Sequence, residues 1–128
     1  MATSNPTELE FATIFKDKNG IIIITMKDFG TLDQFDVINI NLAIRHKTDG
    51  QPALKLLDAR ANWSMNKKAK ERAQIENSAS VTKARAIVVS NSIKATLLKF
   101  IQGFSKCDYP QEVFSDWDEA YNWLLSLK

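Results

Sequence analysis

The most constraining feature of this 128-residue sequence is a series of short apolar segments that alternate with stretches long enough to form helices. Three of these segments, residues 21–26, 53–58 and 86–90, have the length and composition of buried strands. Buried strands that alternate with helices predict a mostly parallel sheet that is covered by helices through right-handed crossovers. The sequence therefore predicts an α/β fold.

The chain is predicted to open with a β-hairpin. Its first strand, residues 9–16, carries apolar side chains at alternate positions, which places one set of them on a common face. That set consists of Leu9, Phe11 and Phe15. Asn19 and Gly20 follow, and this dipeptide is typical of a tight hairpin turn. Because residues 21–26 are almost continuously apolar, we expect a central strand with both faces covered.

Four segments are predicted to be helices. They are residues 31–46, residues 65–75, residues 93–104 and a last helix that follows Ser115. The first is expected to begin at Thr31, whose spacing from Gln34 matches a capping box. Its predicted buried stripe consists of Leu32, Phe35, Ile38 and Leu42. The predicted stripe of the last helix consists of Trp117, Ala120, Tyr121 and Leu124.

These elements predict one domain over residues 9–128, preceded by a flexible tail at residues 1–8. With a short strand at residues 112–114, the sheet has about five strands, and four helices cover it. A chain of this length buries enough apolar surface to fold without metal ions or disulfides.

Three segments of the chain together resemble a known family. They read L-L-D-A-R-A-N-W-S-M at residues 56–65, A-I-V-V-S-N-S at residues 86–92 leading into K-F-I-Q-G-F at residues 99–104, and V-F-S-D-W-D-E-A-Y-N-W-L at residues 113–124. They resemble the SpoIIAA-like, or STAS/SEC14-like, small bacterial domains, and the resemblance covers about residues 9–127. It implies a SpoIIAA/STAS-like fold and a non-enzymatic regulatory module that binds a protein partner.

In STAS domains that antagonise anti-sigma factors, a partner kinase phosphorylates a serine at the start of the helix after the third strand. The matching region here contains Ser64 as its only hydroxyl, and Met65 follows it where the family motif has glycine. Ser64 is therefore a candidate phosphorylation site by resemblance, with a plain helix cap as the alternative. The SEC14 part of the family name implies another function, the binding of a small molecule or lipid.

Polar residues follow two of the predicted buried strands. Asp58 ends one strand, and Ser90, Asn91 and Ser92 end the next. Because open α/β sheets bind ligands beyond the carboxyl ends of their strands, these residues predict a rim for a small polar ligand or a phosphate group. The alternative is structural, since Asp, Asn and Ser are also the usual capping residues.

The charge of the chain is unevenly distributed. Residues 60–106 contain ten basic and two acidic residues, whereas the rest of the chain contains seven basic and thirteen acidic residues. The densest basic cluster is predicted to lie on the second helix and consists of Lys67, Lys68, Lys70 and Arg72. It is either a solvated helix face or a surface for an acidic protein partner or a second copy. Nucleic-acid binding is not favoured, because no sequence-reading motif accompanies these residues.

The sequence contains no recognisable catalytic or metal-binding group. His46 is the only histidine and Cys107 the only cysteine, so neither a metal site nor a nucleophile–base pair is expected, and no cofactor is implied. The single cysteine and the lack of a signal-like or membrane-spanning segment predict a cytoplasmic protein. Trp63 and Trp123 are candidate anchors for a protein partner or a homodimer, with packing at the edge of the core as the alternative.

Overall fold

The computed structural model describes residues 5–79, 81–90 and 109–128. Within these ranges the strands are β1 (Thr7–Glu8), β2 (Ala12–Lys16), β3 (Ile22–Met26), β4 (Thr31–Leu32), β5 (Ala53–Asp58), β6 (Ser64–Met65), β7 (Thr82–Val88) and β8 (Gln111–Phe114). The helices are α1 (Gln34–Thr48), α2 (Lys67–Ala79) and α3 (Trp117–Ser126). The described residues thus contain three of the four predicted helices, and the predicted helix at residues 93–104 lies outside them. None of the described helices is long and apolar enough to cross a membrane.

Six strands form one mixed sheet in the order β1-β2-β3-β5-β7-β8. The first three are antiparallel neighbours, whereas β3, β5, β7 and β8 run parallel to one another. The prediction of a mostly parallel sheet of about five strands is therefore corrected to a mixed sheet of six. The sixth strand is β1, which lies within the predicted N-terminal tail and pairs antiparallel with β2. The backbone N–H of Leu9 donates to the carbonyl of Ala12 at 2.8 Å, and this turn separates β1 from β2.

The predicted hairpin turn between β2 and β3 is confirmed. The Oδ1 atom of Asp17 accepts the backbone N–H groups of Asn19 and Ile21, both at 2.9 Å. Gly20 has a φ angle of +81°, which residues with a Cβ rarely adopt. The turn therefore depends on the Asp17 carboxylate as well as on glycine.

The predicted buried face of the first strand is confirmed for Phe11, which is 4% exposed, and Leu9 packs against the same core, but the prediction is wrong within β2. Ala12 and Ile14 are the fully buried residues of β2, whereas Phe15 is only half-buried. A strand exposes alternate residues to opposite faces, so an error of one residue in the starting position exchanges the two faces. Here the turn at Leu9 moves the start of the strand to Ala12.

Helix α1 begins later than predicted. Asp33 is its N-cap and accepts the backbone N–H groups of Phe35 and Asp36, while the Asp36 carboxylate accepts the N–H of Asp33 at 2.8 Å. This reciprocal arrangement is a capping box. Thr31 is instead part of β4, which pairs with β6. A tertiary strand pair therefore displaces the cap that the local sequence suggested.

Apolar side chains pack on both faces of the sheet. Helix α1 covers one face, where Ile14, Ile22 and Ile24 are buried together with Ile44 of the helix. Helix α3 covers the other face, where it buries the residues Ala120 and Leu124 against Leu54, Leu56, Ala84, Ala86 and Val88. The predicted stripe of the last helix is thereby confirmed for Ala120 and Leu124. Strand β3 is central in the sheet, as predicted.

Candidate functional site

The strand-end rim predicted from the sequence lies partly within the described residues. Strands β5 and β7 are parallel neighbours, and Asp58 is the register partner of Val88. Ser90 follows two residues later and is half-buried, so the two strand ends lie side by side as expected. Asn91 and Ser92 lie outside the described residues.

Asp58 forms a local ion pair with Arg60. It is 7% exposed, and its two carboxylate oxygens accept from the Nε and Nη2 atoms of Arg60 at 2.9 and 2.7 Å. Oδ1 also accepts the backbone N–H of Arg60 at 3.2 Å. Hydrogen bonding to Asp58 is the main cause that raises the pKa of the Arg60 guanidinium above its usual value. The arrangement matches the structural alternative, in which Asp58 organises the loop after β5.

The pairing of Asp58 with Arg60 is testable by a double-mutant cycle. We expect Asp58→Ala and Arg60→Ala each to lower the free energy of unfolding, and the double variant to lose about 1 kcal/mol less than their sum. Both partners contact each other through two side-chain bonds, which is the reason for the coupling. Urea unfolding of the four proteins measures it. Additive losses would show that the pair contributes no coupling.

Ser64 does not cap α2 as predicted. It is exposed in β6, where its Oγ lies 3.0 Å from the Oγ1 of Thr31 in the paired strand β4. The cap is Asn66, whose Oδ1 accepts the backbone N–H of Ala69 at 2.8 Å. The pairing of β4 with β6 keeps the chain extended through Met65, and the helix therefore starts at Lys67.

The fold leaves some residues of the predicted basic surface exposed and half-buries the others. Lys67 and Lys68 are exposed at the start of α2. Arg72 is instead half-buried and donates from Nη2 to Glu76 Oε1 at 2.9 Å, one turn further along the helix. Lys70 is half-buried between them. Only part of the cluster is therefore presented to solvent as free positive charge.

The two candidate tryptophan anchors are half-buried. Trp63 packs against the core under α1, and Trp123 packs against Phe114 with ring centroids 5.8 Å apart. Both tryptophans therefore pack at the edges of the hydrophobic core.

A buried lysine was missed by the sequence analysis. Lys55 lies in β5, is 7% exposed, and donates from Nζ to the Oγ1 of Thr82 at 2.8 Å. Burial lowers the pKa of Lys55 to about 8, with further lowering by Arg85 and Arg45 and partial opposition by Glu76. A single lysine within the apolar segment A-L-K-L-L-D was the available signal, but it did not show which face the side chain would occupy.

Lys55 borders a small pocket between the last turns of α1 and α2. The pocket is also lined by Asn41, Arg45, Thr48 and Glu76, and its volume is about 20 Å³. A space of this size holds about one water molecule. Within the ranges that the structure describes, no group of three or more His, Cys, Asp or Glu side chains converges to hold a metal ion.

The largest unexpected feature is an apolar surface on α1. The side chains of Phe35 and Leu42 are 62% and 56% exposed, and Ile38 between them is half-buried. We call Phe35, Ile38 and Leu42 the α1 stripe. The sequence predicted that these residues face the core, but the helix buries Val37 and Ile44 instead. The helix carries apolar residues on more than one face, so spacing alone did not identify the buried one.

The chain is similar to a protein of known structure and matches one known family. The fold is SpoIIAA-like, which confirms the resemblance noted in the sequence. It is similar to the crystal structure of an uncharacterised DUF3478-family protein with a SpoIIAA-like fold from Shewanella loihica PV-4. That similarity has a TM-score of 0.68 at 15% identity and covers 94% of this chain and 99% of the other. The chain belongs to the family described as domain of unknown function DUF7793, whose model matches residues 15–128. No curated protein sequence matches the chain.

Proposed function

We propose that this protein is a non-enzymatic regulatory module that acts by binding a protein partner through the α1 stripe. The observation that carries the proposal is the exposure of Phe35 and Leu42, at 62% and 56%, on the same face of one helix. Burial of a Phe or Leu side chain contributes about 1.5–3 kcal/mol, so leaving both in water forgoes a large stabilisation. Aromatic and aliphatic side chains in this arrangement are typical of the centre of a protein interface.

The non-enzymatic part of the proposal is supported by how the candidate polar groups are used. The Asp58 carboxylate is bound by Arg60, and the Ser64 hydroxyl lies within hydrogen-bond distance of Thr31. Each group therefore stabilises its own loop or strand pair. A cytoplasmic location belongs to the same proposal and is supported by the single cysteine.

Site-specific photo-cross-linking tests the partner-binding surface. A photoreactive residue at exposed Asn39, beside the α1 stripe, is expected to give one dominant protein adduct in cells that naturally express the gene. The same residue at exposed Glu119 on α3 is expected not to give that adduct. Adding Leu42→Glu should reduce the adduct from position 39 by about tenfold, because it places a charge in the apolar contact.

The matched control is Ile75→Glu on α2, because Ile75 is also 56% exposed but lies outside the stripe. It is expected to leave the adduct from position 39 unchanged. Identical adducts from positions 39 and 119, or an adduct that persists with Leu42→Glu, would refute binding through α1.

Binding of a small molecule or lipid remains the alternative function. One pocket that bears on it lies beside Lys55, and its 20 Å³ is far below the several hundred Å³ of ordinary ligand sites. A protein partner can bind the α1 stripe on the surface, so pocket volume does not limit that interaction. We therefore favour protein binding.

A further inference from the structure

The spacing of the α1 stripe matches the contact positions of one helix in a helix–helix pair. Phe35, Ile38 and Leu42 are separated by three and four residues, which is the a/d spacing of paired helices. Phe35 and Leu42 therefore lie two turns apart, about 10 Å along the helix axis. A second helix with the same spacing would fill the gaps between these side chains.

The charges of α1 change sign along its length. Its N-terminal end carries Asp33 and Asp36, and its last turn carries Arg45, His46 and Lys47. A second copy of the helix that runs antiparallel places its basic end beside the acidic end of the first. In that arrangement the two helix dipoles point in opposite directions and attract each other. A parallel pair would instead bring like charges together.

We propose that the partner of the α1 stripe is a second copy of this chain, bound by antiparallel pairing of the two α1 helices about a two-fold axis near Ile38 and Asn39. This inference rests on the proposed function, since it names the occupant of the same surface. In this arrangement Phe35 of each copy packs against Leu42 of the other. The contact is isologous and closes on itself, so the assembly stops at a dimer.

The dimer is expected to be weak. A contact between single 15-residue helices buries less than the roughly 1,600 Å² of a standard stable interface. We therefore expect a dissociation constant of about 10–100 μM, which sedimentation velocity measures from a concentration series. Leu42→Glu should raise this constant by at least about tenfold, because each dimer contains the substitution twice. Phe35→Glu is a second variant with the same expected effect, and Ile75→Glu is the control that leaves the constant unchanged.

Disulfide cross-linking tests the antiparallel direction. With the only cysteine, Cys107, replaced by serine, a new cysteine is placed at either Asn39 or His46, which are both exposed on the face of the stripe. In the antiparallel dimer the two copies of position 39 lie beside the axis, whereas the two copies of position 46 are about 20 Å apart. Because disulfides need Cα atoms within about 7 Å, Asn39→Cys should cross-link and His46→Cys should not.

The outcomes separate this inference from the proposed function. Cross-linking at position 39 alone, together with a dimer that Leu42→Glu dissociates and circular dichroism that shows each variant folded, supports it. Equal cross-linking at positions 39 and 46, a dimer that resists both Leu42→Glu and Phe35→Glu, or a monomer at several hundred micromolar overturns it. If the wild type is monomeric while Asn39 still photo-cross-links a different protein, the self-pairing is wrong and the proposed function stands.

Discussion

Replacing Lys55 with methionine is expected to stabilise the folded protein at pH 7 by roughly 1–3 kcal/mol. The Lys55 ammonium is buried in the sheet and makes one side-chain bond within the described residues, to Thr82. Its pKa falls from 10.5 to about 8, mainly because burial disfavours the charged form. Each pH unit between these values corresponds to about 1.4 kcal/mol, so roughly 3 kcal/mol is the upper limit of the penalty. Methionine fills a similar volume without a charge.

The same substitution should change how stability depends on pH. Because the folded pKa of Lys55 lies below the unfolded one, the unfolded chain binds more protons between pH 8 and 10.5. The penalty is therefore fully present below about pH 8, and it disappears as the pH rises toward 10.5. Relative to Lys55→Met, the wild type should gain stability over this window.

Urea unfolding of both proteins at pH 7, 9 and 10.5 measures this difference. Lys83→Met provides the control, because Lys83 is exposed on the neighbouring strand β7. It should change neither the stability nor its pH dependence. A Lys55→Met protein that is less stable than the wild type at pH 7 would mean that the ammonium stabilises the fold.

Leu124→Ala is expected to destabilise the protein by about 2–5 kcal/mol. Leu124 is fully buried where α3 crosses the sheet, and it belongs to the cluster that includes Leu54, Leu56 and Val88. Its truncation removes apolar contacts and leaves a cavity between the helix and the strands. Thermal or urea unfolding measures the loss.

Leu42→Ala is the matched control for the core substitution, since Leu42 is 56% exposed on α1. It removes the same atoms from a site that makes few core contacts, so the change should be within about 0.5 kcal/mol. Similar losses for the two substitutions would mean that Leu42 is packed and that the α1 stripe is not available to a partner.

Sequence features that act between near neighbours correctly predicted the hairpin turn and part of the buried stripe of α3. Asn19 and Gly20 marked the hairpin turn, because the turn needs a positive φ angle that glycine adopts without strain. The stripe of α3 was readable because Ala120 and Leu124 lie on its only continuous apolar face. By contrast, Thr31 and Ser64 carried cap signals that the pairing of β4 with β6 displaced.

The candidate site was the least predictable part of the protein. Asp58 was identified from its position at a strand end, but its partner Arg60 depends on the conformation of the following loop. Lys55 and Leu42 lie in environments opposite to those expected from residue type, since the lysine is buried and the leucine is exposed. Residue type states a preference for burial, whereas the packed neighbours determine the outcome.

By itself the sequence determined the α/β class and the order of the main strands and helices, because periodicity and turn residues act between neighbours along the chain. The SpoIIAA-like resemblance came separately, from the likeness of three sequence segments to a known family. Only the tertiary structure decided that α1 turns Val37 and Ile44 inward and leaves Phe35 and Leu42 in solvent. That choice depends on how the helix lies against α2, β2 and β4, which are contacts between distant parts of the chain. A helix with several apolar faces can bury any one of them, and packing against the sheet determines which one is buried.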